Sequence, residues 1–227
     1  MALWGSGIAR ADPLLDRLDS PDYATREAAS AELLTGPLLD ESRWLALFAQ
    51  ARSPEQRHRL LAAAEHQALT AMRLREFPQR GPGSLGMTHQ VISPAQREHL
   101  GRAAILVLGT LPGFPAHAHL RPGDLIVAFN EQTIEPEMTP NAFPQMVQLT
   151  QAGQTVTLTV LRDGREQTLR MELAGFEPLA RMYDGNDTGS PPGLTARFAL
   201  PWQQLRQHYL AAAAATAPAP IPVMTRP

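Results

Sequence analysis

Cysteine is absent from the 227 residues, and so is lysine; all 20 basic side chains are arginine. Without cysteine there are no disulfides and no thiolate metal sites. That absence neither requires nor forbids an oxidising compartment. The missing lysine is what codon bias in a GC-rich genome produces, and it points to no function. Neither sign of charge is in excess: 20 basic residues face 22 acidic ones, for a net charge of -2. The electrostatic footprint of a nucleic-acid or anionic-lipid binder is therefore missing. No apolar run approaches the roughly 20 residues needed to span a bilayer. Aromatics make up only 6%, but hydrophobic residues reach 44%, enough aliphatic material for a core in one or two domains.

What is present changes period along the chain. Asp12 to Phe77 reads as helical. Leu14, Leu15 and Leu18 form a short apolar face. Ser20-Pro21 has the form of an N-cap with proline at the first helical position. Its helix carries Tyr23, Ala28, Leu33 and Leu34 and stops at Gly36-Pro37. Asp40 can cap a helix presenting Trp44, Leu47 and Phe48, and Ser53-Pro54-Glu55-Gln56 is a capping box. Ser20-Pro21-Asp22 with Arg26 is echoed 33 positions later by Ser53-Pro54-Glu55 with Arg59. That is close to the period of helix-pair repeats. The segment is weakly similar to HEAT-like repeats; a small helical bundle is the alternative.

From Gly83 the pattern is that of strands. Leu85, Met87 and Val91 alternate with other residues, and Ile105 to Leu108 and Leu125 to Phe129 are continuous apolar runs. Asn141 to Thr150 reads as a short helix with Phe143, Met146 and Val147 on one face. Thr155 to Leu161 and Gln167 to Leu173 alternate around Asp163-Gly164, a strong hairpin signal. Phe198 to Leu210 reads as an amphipathic helix with Trp202, Leu205 and Tyr209 in line. It is either a partner-binding element or, by default, one that packs back on the sheet. The Ala/Pro-rich stretch from Ala211 to Pro227 has no core-forming pattern and is expected to be disordered.

Three blocks within residues 80–174 carry a resemblance. Ser84-Leu85-Gly86-Met87 resembles the carboxylate-binding loop of PDZ domains. Pro115-Ala116, Leu120 and Pro122-Gly123-Asp124-Leu125-Ile126 resemble the middle block of bacterial, protease-associated PDZ domains. Gly153, Val156, Leu158, Val160 and Arg162-Asp163-Gly164 resemble the last block. The resemblance covers about ninety residues, less than half of the chain. It implies a loop whose backbone N–H groups hold a carboxylate, beside an open strand edge to which a peptide adds itself. Ser84, Leu85, Gly86 and Met87 would hold the carboxylate and last side chain. Thr88 and His89 would continue along the peptide, and Phe143, Met146 and Val147 would line the opposite wall. Gly86 is expected to let the backbone approach the ligand, so that Gly86→Glu blocks the site with the fold largely intact. Two positions depart from the family. His119 stands where glycine normally relieves strain, and Glu131 follows Asn130 where glycine usually follows.

Other chemistry is outweighed. His117 and His119 have no ligand partners at metal spacing, and a solvent-facing loop is the default for them. His89 either faces the ligand or sits on a solvated strand edge, the default. Asp184-Gly185-Asn186-Asp187 has oxygen ligands like a calcium loop, but turn chemistry explains it equally well. The acids Glu131, Glu135 and Glu137 read as a solvated loop. The nucleophile motif Gly-Asn-Ser-Gly-Gly of trypsin-like proteases is absent, as are metalloprotease, phosphate-loop and dinucleotide motifs.

The expected fold is α+β: a helical segment at 12–78, a PDZ-like partly open β-barrel with two flanking helices at 80–174, and a flexible tail at 175–227. The expected function is non-catalytic capture of peptide C-termini or extended segments, as a scaffold or adaptor. No cofactor, metal or nucleic acid is expected. The alternatives are a substrate-presenting regulatory subunit or remnant of a PDZ-containing serine protease system, and an assembly protein whose groove its own flanks close. The expected compartment is cytoplasmic as the chain stands, or periplasmic or secreted if residues 1–11 end a truncated signal peptide.

Overall fold

Side-chain caps set the helix starts. The computed structural model describes residues 12–77, 79–177 and 198–215. The calcium-like motif at 184–187, residues 1–11 and the segment 216–227 lie outside them. Asp12 accepts from the Leu14 N–H to open α1 (Pro13–Leu18), and Asp40 accepts from the Arg43 N–H to open α3 (Glu41–Gln50). Ser53 and Gln56 exchange reciprocal bonds of 3.0 Å ahead of α4 (Pro54–Glu76), the expected capping box. For α2 (Tyr23–Thr35) the cap is Asp22, which bonds the Thr25 N–H, rather than Ser20. Ser20 instead accepts from the Asp22 N–H. The chain needs one further residue to turn before the helix, and the carboxylate at that point is the better acceptor.

The described residues form two units, each considered by itself. In the first, residues 12–64 and 203–215, Leu15, Leu18, Leu33, Leu47, Phe48 and Leu60 are buried. The 33-residue echo is not one of role. Arg26 donates to the carbonyls of Ser20 and Pro21, and Arg57 does the same for Ala51 and Arg52. Arg59 instead bonds Glu55, Glu27 and Ser30. The last helix, α8 (Ala199–Ala215), brings the Tyr209 ring onto Phe48, 5.0 Å between centroids and nearly parallel, with Trp44 at 6.3 Å. The expectation that Tyr209 packs back on the sheet is thus corrected: it stacks on helix aromatics, whose flat faces match it.

The second unit, residues 65–202, holds antiparallel sheets that do not close into a barrel. Its strands are β1 (Gly83–Ser84), β2 (Met87–Val91), β3 (Ile105–Thr110), β4 (Leu125–Phe129), β5 (Gln132–Thr133), β6 (Thr155–Arg162), β7 (Arg165–Glu172) and β8 (Ala174–Gly175). Between them lie α5 (Pro94–Leu100), α6 (Pro115–His119) and α7 (Ala142–Gln148). The main sheet runs β2-β3-β4-β6-β7 with β5 on β4, and β1 pairs separately with β8. Ile105, Val107, Ile126, Val156, Leu158 and Val160 form the core together with Phe143 and Val147 of α7. The Asp163-Gly164 turn closes β6 on β7 with both residues at positive φ, 52° and 74°, the two-residue geometry that matches strand twist. The architecture is α+β, as the change of period implies.

Both departures from the family pattern have a local answer. His119 ends α6 without positive φ, so the strain expected there does not arise. Asn130 and Glu131 do take positive φ, 48° and 67°, between β4 and β5. Asn130 recovers bonds by exchanging with Thr157 at 2.8 and 2.9 Å, whereas Glu131 is exposed and gains no such exchange among the described residues. A left-handed non-glycine residue costs about 1–2 kcal/mol, offset in part by the chain entropy of a glycine. Glu131→Gly should therefore stabilise the protein by about 0.5–1 kcal/mol, measured by urea unfolding.

Asp124, 2% exposed, ties the turn before β4 to the end of β6. Its carboxylate accepts from Arg162 Nε at 2.8 Å and Nη2 at 2.6 Å, and from the Arg121 N–H at 2.8 Å. Removing one partner of a buried pair leaves the other charge stranded, at about 3–5 kcal/mol. Asp124→Ala should lower stability by that amount in the same assay.

Candidate functional site

The loop before β2 is shaped by two carbonyls that point inward. The Leu85 C=O accepts from the Ala116 N–H and the Gly86 C=O from the Leu111 N–H, each at 2.9 Å. Every described peptide bond is trans, so each N–H opposes the carbonyl of its own peptide plane. The N–H groups of Gly86 and Met87 therefore point away from the 111–116 segment, as successive donors. Gly86 itself is left-handed, φ 71°, the conformation that bends consecutive amides into an anion-binding concavity. Ser84 Oγ accepts the Gly86 N–H at 3.2 Å, the long end of the usual range.

The reason for glycine at 86 differs from the expectation. A Cβ there would sit 2.1 Å from the Cβ of Phe114, pointing into the protein rather than toward a ligand. Phe114 is fully buried, so nothing can yield. Gly86→Glu would break the loop itself and cannot leave the fold intact.

β2 is the end strand of the sheet, and among the described residues nothing pairs with its outer edge. Between this edge and α7 lies an open pocket of about 150 Å³. Of the expected residues, Ser84, Leu85, Gly86, Met87, His89, Phe143 and Val147 line it. Strand alternation turns exposed Thr88 to the other face, where its hydroxyl lies near Gly109; only its backbone belongs to the edge. Met146 packs against the core instead of the pocket. His89 is not on a solvated edge: it is half-buried, its ring 5.6 Å from Phe143. Burial holds its imidazole below the usual range, partly offset by a bond to the Pro140 carbonyl.

Pro144, Gln148 and Phe176 also line the pocket and were not legible beforehand. Phe176 arrives through the β1–β8 pairing, which no local pattern announces. A larger omission is the end of α4. His66 Nδ1 accepts the Gly113 N–H at 3.1 Å, Arg73 Nε donates to the Gly113 C=O at 2.7 Å, and Leu69 packs with Phe114 and Ala174. Positions 66, 69 and 73 share one helical face; that spacing was the available signal. Residues 80–174 alone would lack all three.

His117 and His119 are not in a solvent-facing loop, because they sit half-buried on α6. His117 stacks on His66 at 5.2 Å, and its Nδ1 lies 3.1 Å from Thr110 Oγ1. Among the described residues no group of three or more such side chains could hold a metal ion. Burial, with the charges of His117, Arg73 and His119, pushes His66 down to about 3; burial also lowers His117 and His119.

The profile of the PDZ domain family matches residues 83–173. This segment is a PDZ domain. The chain is 32% identical over 111 residues to a probable periplasmic serine endoprotease, DegP-like, of Ectopseudomonas mendocina (strain ymp). The match covers 48% of this chain and 23% of that protein. Two solved structures of the HtrA-type protease AlgW, one with a decapeptide and one with a tripeptide, are each 29% identical. They cover 48% of this chain and 34% and 36% of theirs, with TM-scores of 0.34 and 0.35. The chain thus spans about a quarter to a third of the length of these relatives. Among the described residues no helix is long and apolar enough to cross a membrane.

The histidines beside the PDZ loop carry a pH prediction. Their folded pKa values lie below the unfolded value near 6.5, so the unfolded chain binds more protons. Stability is then complete above about pH 6.5 and falls as pH drops toward 3, by up to about 1.4 kcal/mol per unit for His66. His66→Asn keeps an acceptor for the Gly113 N–H, and should flatten the dependence in urea unfolding between pH 7.5 and 4.5.

Proposed function

We propose that the groove between β2 and α7 captures the C-terminus, or an extended segment, of a protein or peptide by strand addition, without catalysis. The observation that carries this reading is the unpaired β2 edge beside a pocket headed by the outward amides of Gly86 and Met87. The carboxylate takes those amides and displaces Ser84 Oγ. The last side chain enters between Leu85, Met87, Phe143 and Val147. About 150 Å³ holds a benzene-sized group, which fits Val, Leu or Phe. Main-chain bonds along β2, past Thr88 and His89, supply further affinity. The helical unit sets orientation or offers a second contact surface, as in a scaffold or adaptor.

Fluorescent hexapeptides ending in Leu, as free acid and as amide, test this by anisotropy. The acid should bind at least tenfold more tightly, about 1.4 kcal/mol. Met87→Pro deletes an outward N–H and no sheet bond, a substitution an edge strand tolerates; it should abolish binding, and Met87→Leu should keep it. Equal affinity for acid and amide, or undiminished binding by Met87→Pro, sinks the reading.

The similarity to a probable periplasmic endoprotease favours a second reading, a regulatory subunit that presents substrates to a PDZ-containing serine protease on another chain. Co-purification with such a protease distinguishes it from a free-standing adaptor.

A further inference from the structure

Behind the loop that faces the groove lies a cation that has no ion-pair partner among the described residues. Arg73 is 3% exposed. Its Nε donates to the Gly113 carbonyl at 2.7 Å and its Nη1 to Gln79 Oε1 at 3.2 Å. Gln79 Oε1 also accepts the Gly175 N–H, and Gly175 pairs with Gly83 at the start of the loop. Among the described residues no carboxylate lies within ion-pair distance of the guanidinium. Glu172 acts on it only through its field, and burial lowers its pKa to about 10, which leaves it cationic at neutral pH. The histidines nearby are held neutral by burial and so add no further positive charge.

A buried, unpaired charge is costly, and its usual resolution is an adjacent carboxylate. One ring separates this charge from the loop. Arg73 Cζ stands 5.4 Å from the centre of the Phe114 ring, and the same residue fills the space a Cβ on Gly86 would need. Phe114 is fully buried, so no water screens the charge along this path.

We propose that Arg73 is the positioning residue that makes the groove selective for an anionic peptide end: its charge acts through Phe114 on the amides of Gly86 and Met87, and the ligand carboxylate is its missing counter-ion. This rests on the peptide-binding reading of the groove. It assigns the last third of α4 to the binding machinery.

The test uses the full chain with Arg73→Lys, Arg73→Gln and Arg73→Met, and the Leu-ending hexapeptide as acid and as amide. A unit charge acting at an effective dielectric of about 20 through one buried ring changes the affinity for an anion by roughly tenfold. Arg73→Gln and Arg73→Met should weaken the acid by about that factor and leave the amide unchanged, so that the acid/amide ratio collapses. Arg73→Lys, which keeps the charge, should retain most of the ratio. A merely structural role would weaken both peptides equally, and that result overturns the proposal. In the unsubstituted protein the Arg73 Nε–H resonance should shift when the acid binds and stay still with the amide. That readout decides the matter even if the variants fold poorly; no shift with the acid overturns it. If the unsubstituted chain discriminates acid from amide and Arg73→Gln does so equally, this inference fails and the peptide-binding reading stands. If the unsubstituted chain binds neither peptide, both fall.

Discussion

The contact between Gly86 and Phe114 is the constraint on which the site depends. Phe114 occupies the space of a side chain that Gly86 does not have. That contact allows the left-handed bend, and the bend lets two consecutive carbonyls turn inward to Leu111 and Ala116. Once the carbonyls are bonded inside, trans peptide geometry forces the N–H groups outward. The donors of the concavity are thus a consequence of packing beneath it and are supplied by the backbone.

The packing beneath the loop is completed by a helix. Gly113 offers one donor and one acceptor in a buried turn, and both must be satisfied. His66 takes the first and Arg73 supplies the second. Leu69 lies between them on the same face and closes the layer with Phe114 and Ala174. In this way the unit extends upstream of the matched family segment to residue 65. The cost of burying two polar side chains on α4 is offset by fixing the one turn that supports the loop.

The groove was legible in large part because its signals are local. A glycine between apolar residues, a Pro-Gly-Asp turn and an Asp-Gly hairpin each depend on a few adjacent dihedrals. Ser84 to Met87 and Phe143 with Val147 accordingly line one pocket. Thr88 and Met146 did not line the pocket, because a one-position choice of face in a strand or short helix is decided by neighbours. His89 turned into the groove for the same reason: alternation from Met87 put it there, and Phe143 covers it.

Local chemistry written in the chain determined the caps at Asp40 and Ser53, the hairpin at Asp163-Gly164, the change from helical to strand period, and the glycine at 86. Each involves residues close enough in sequence for sterics and short-range bonds to act before any folding. Tertiary structure alone decided that Phe114 would sit under Gly86, that Phe176 would end the pocket, that Tyr209 would stack on Phe48, and that Arg73 would be buried against Gly113. Those outcomes join residues tens of positions apart. They are set by which surfaces exclude water together, a choice that no short stretch of sequence contains.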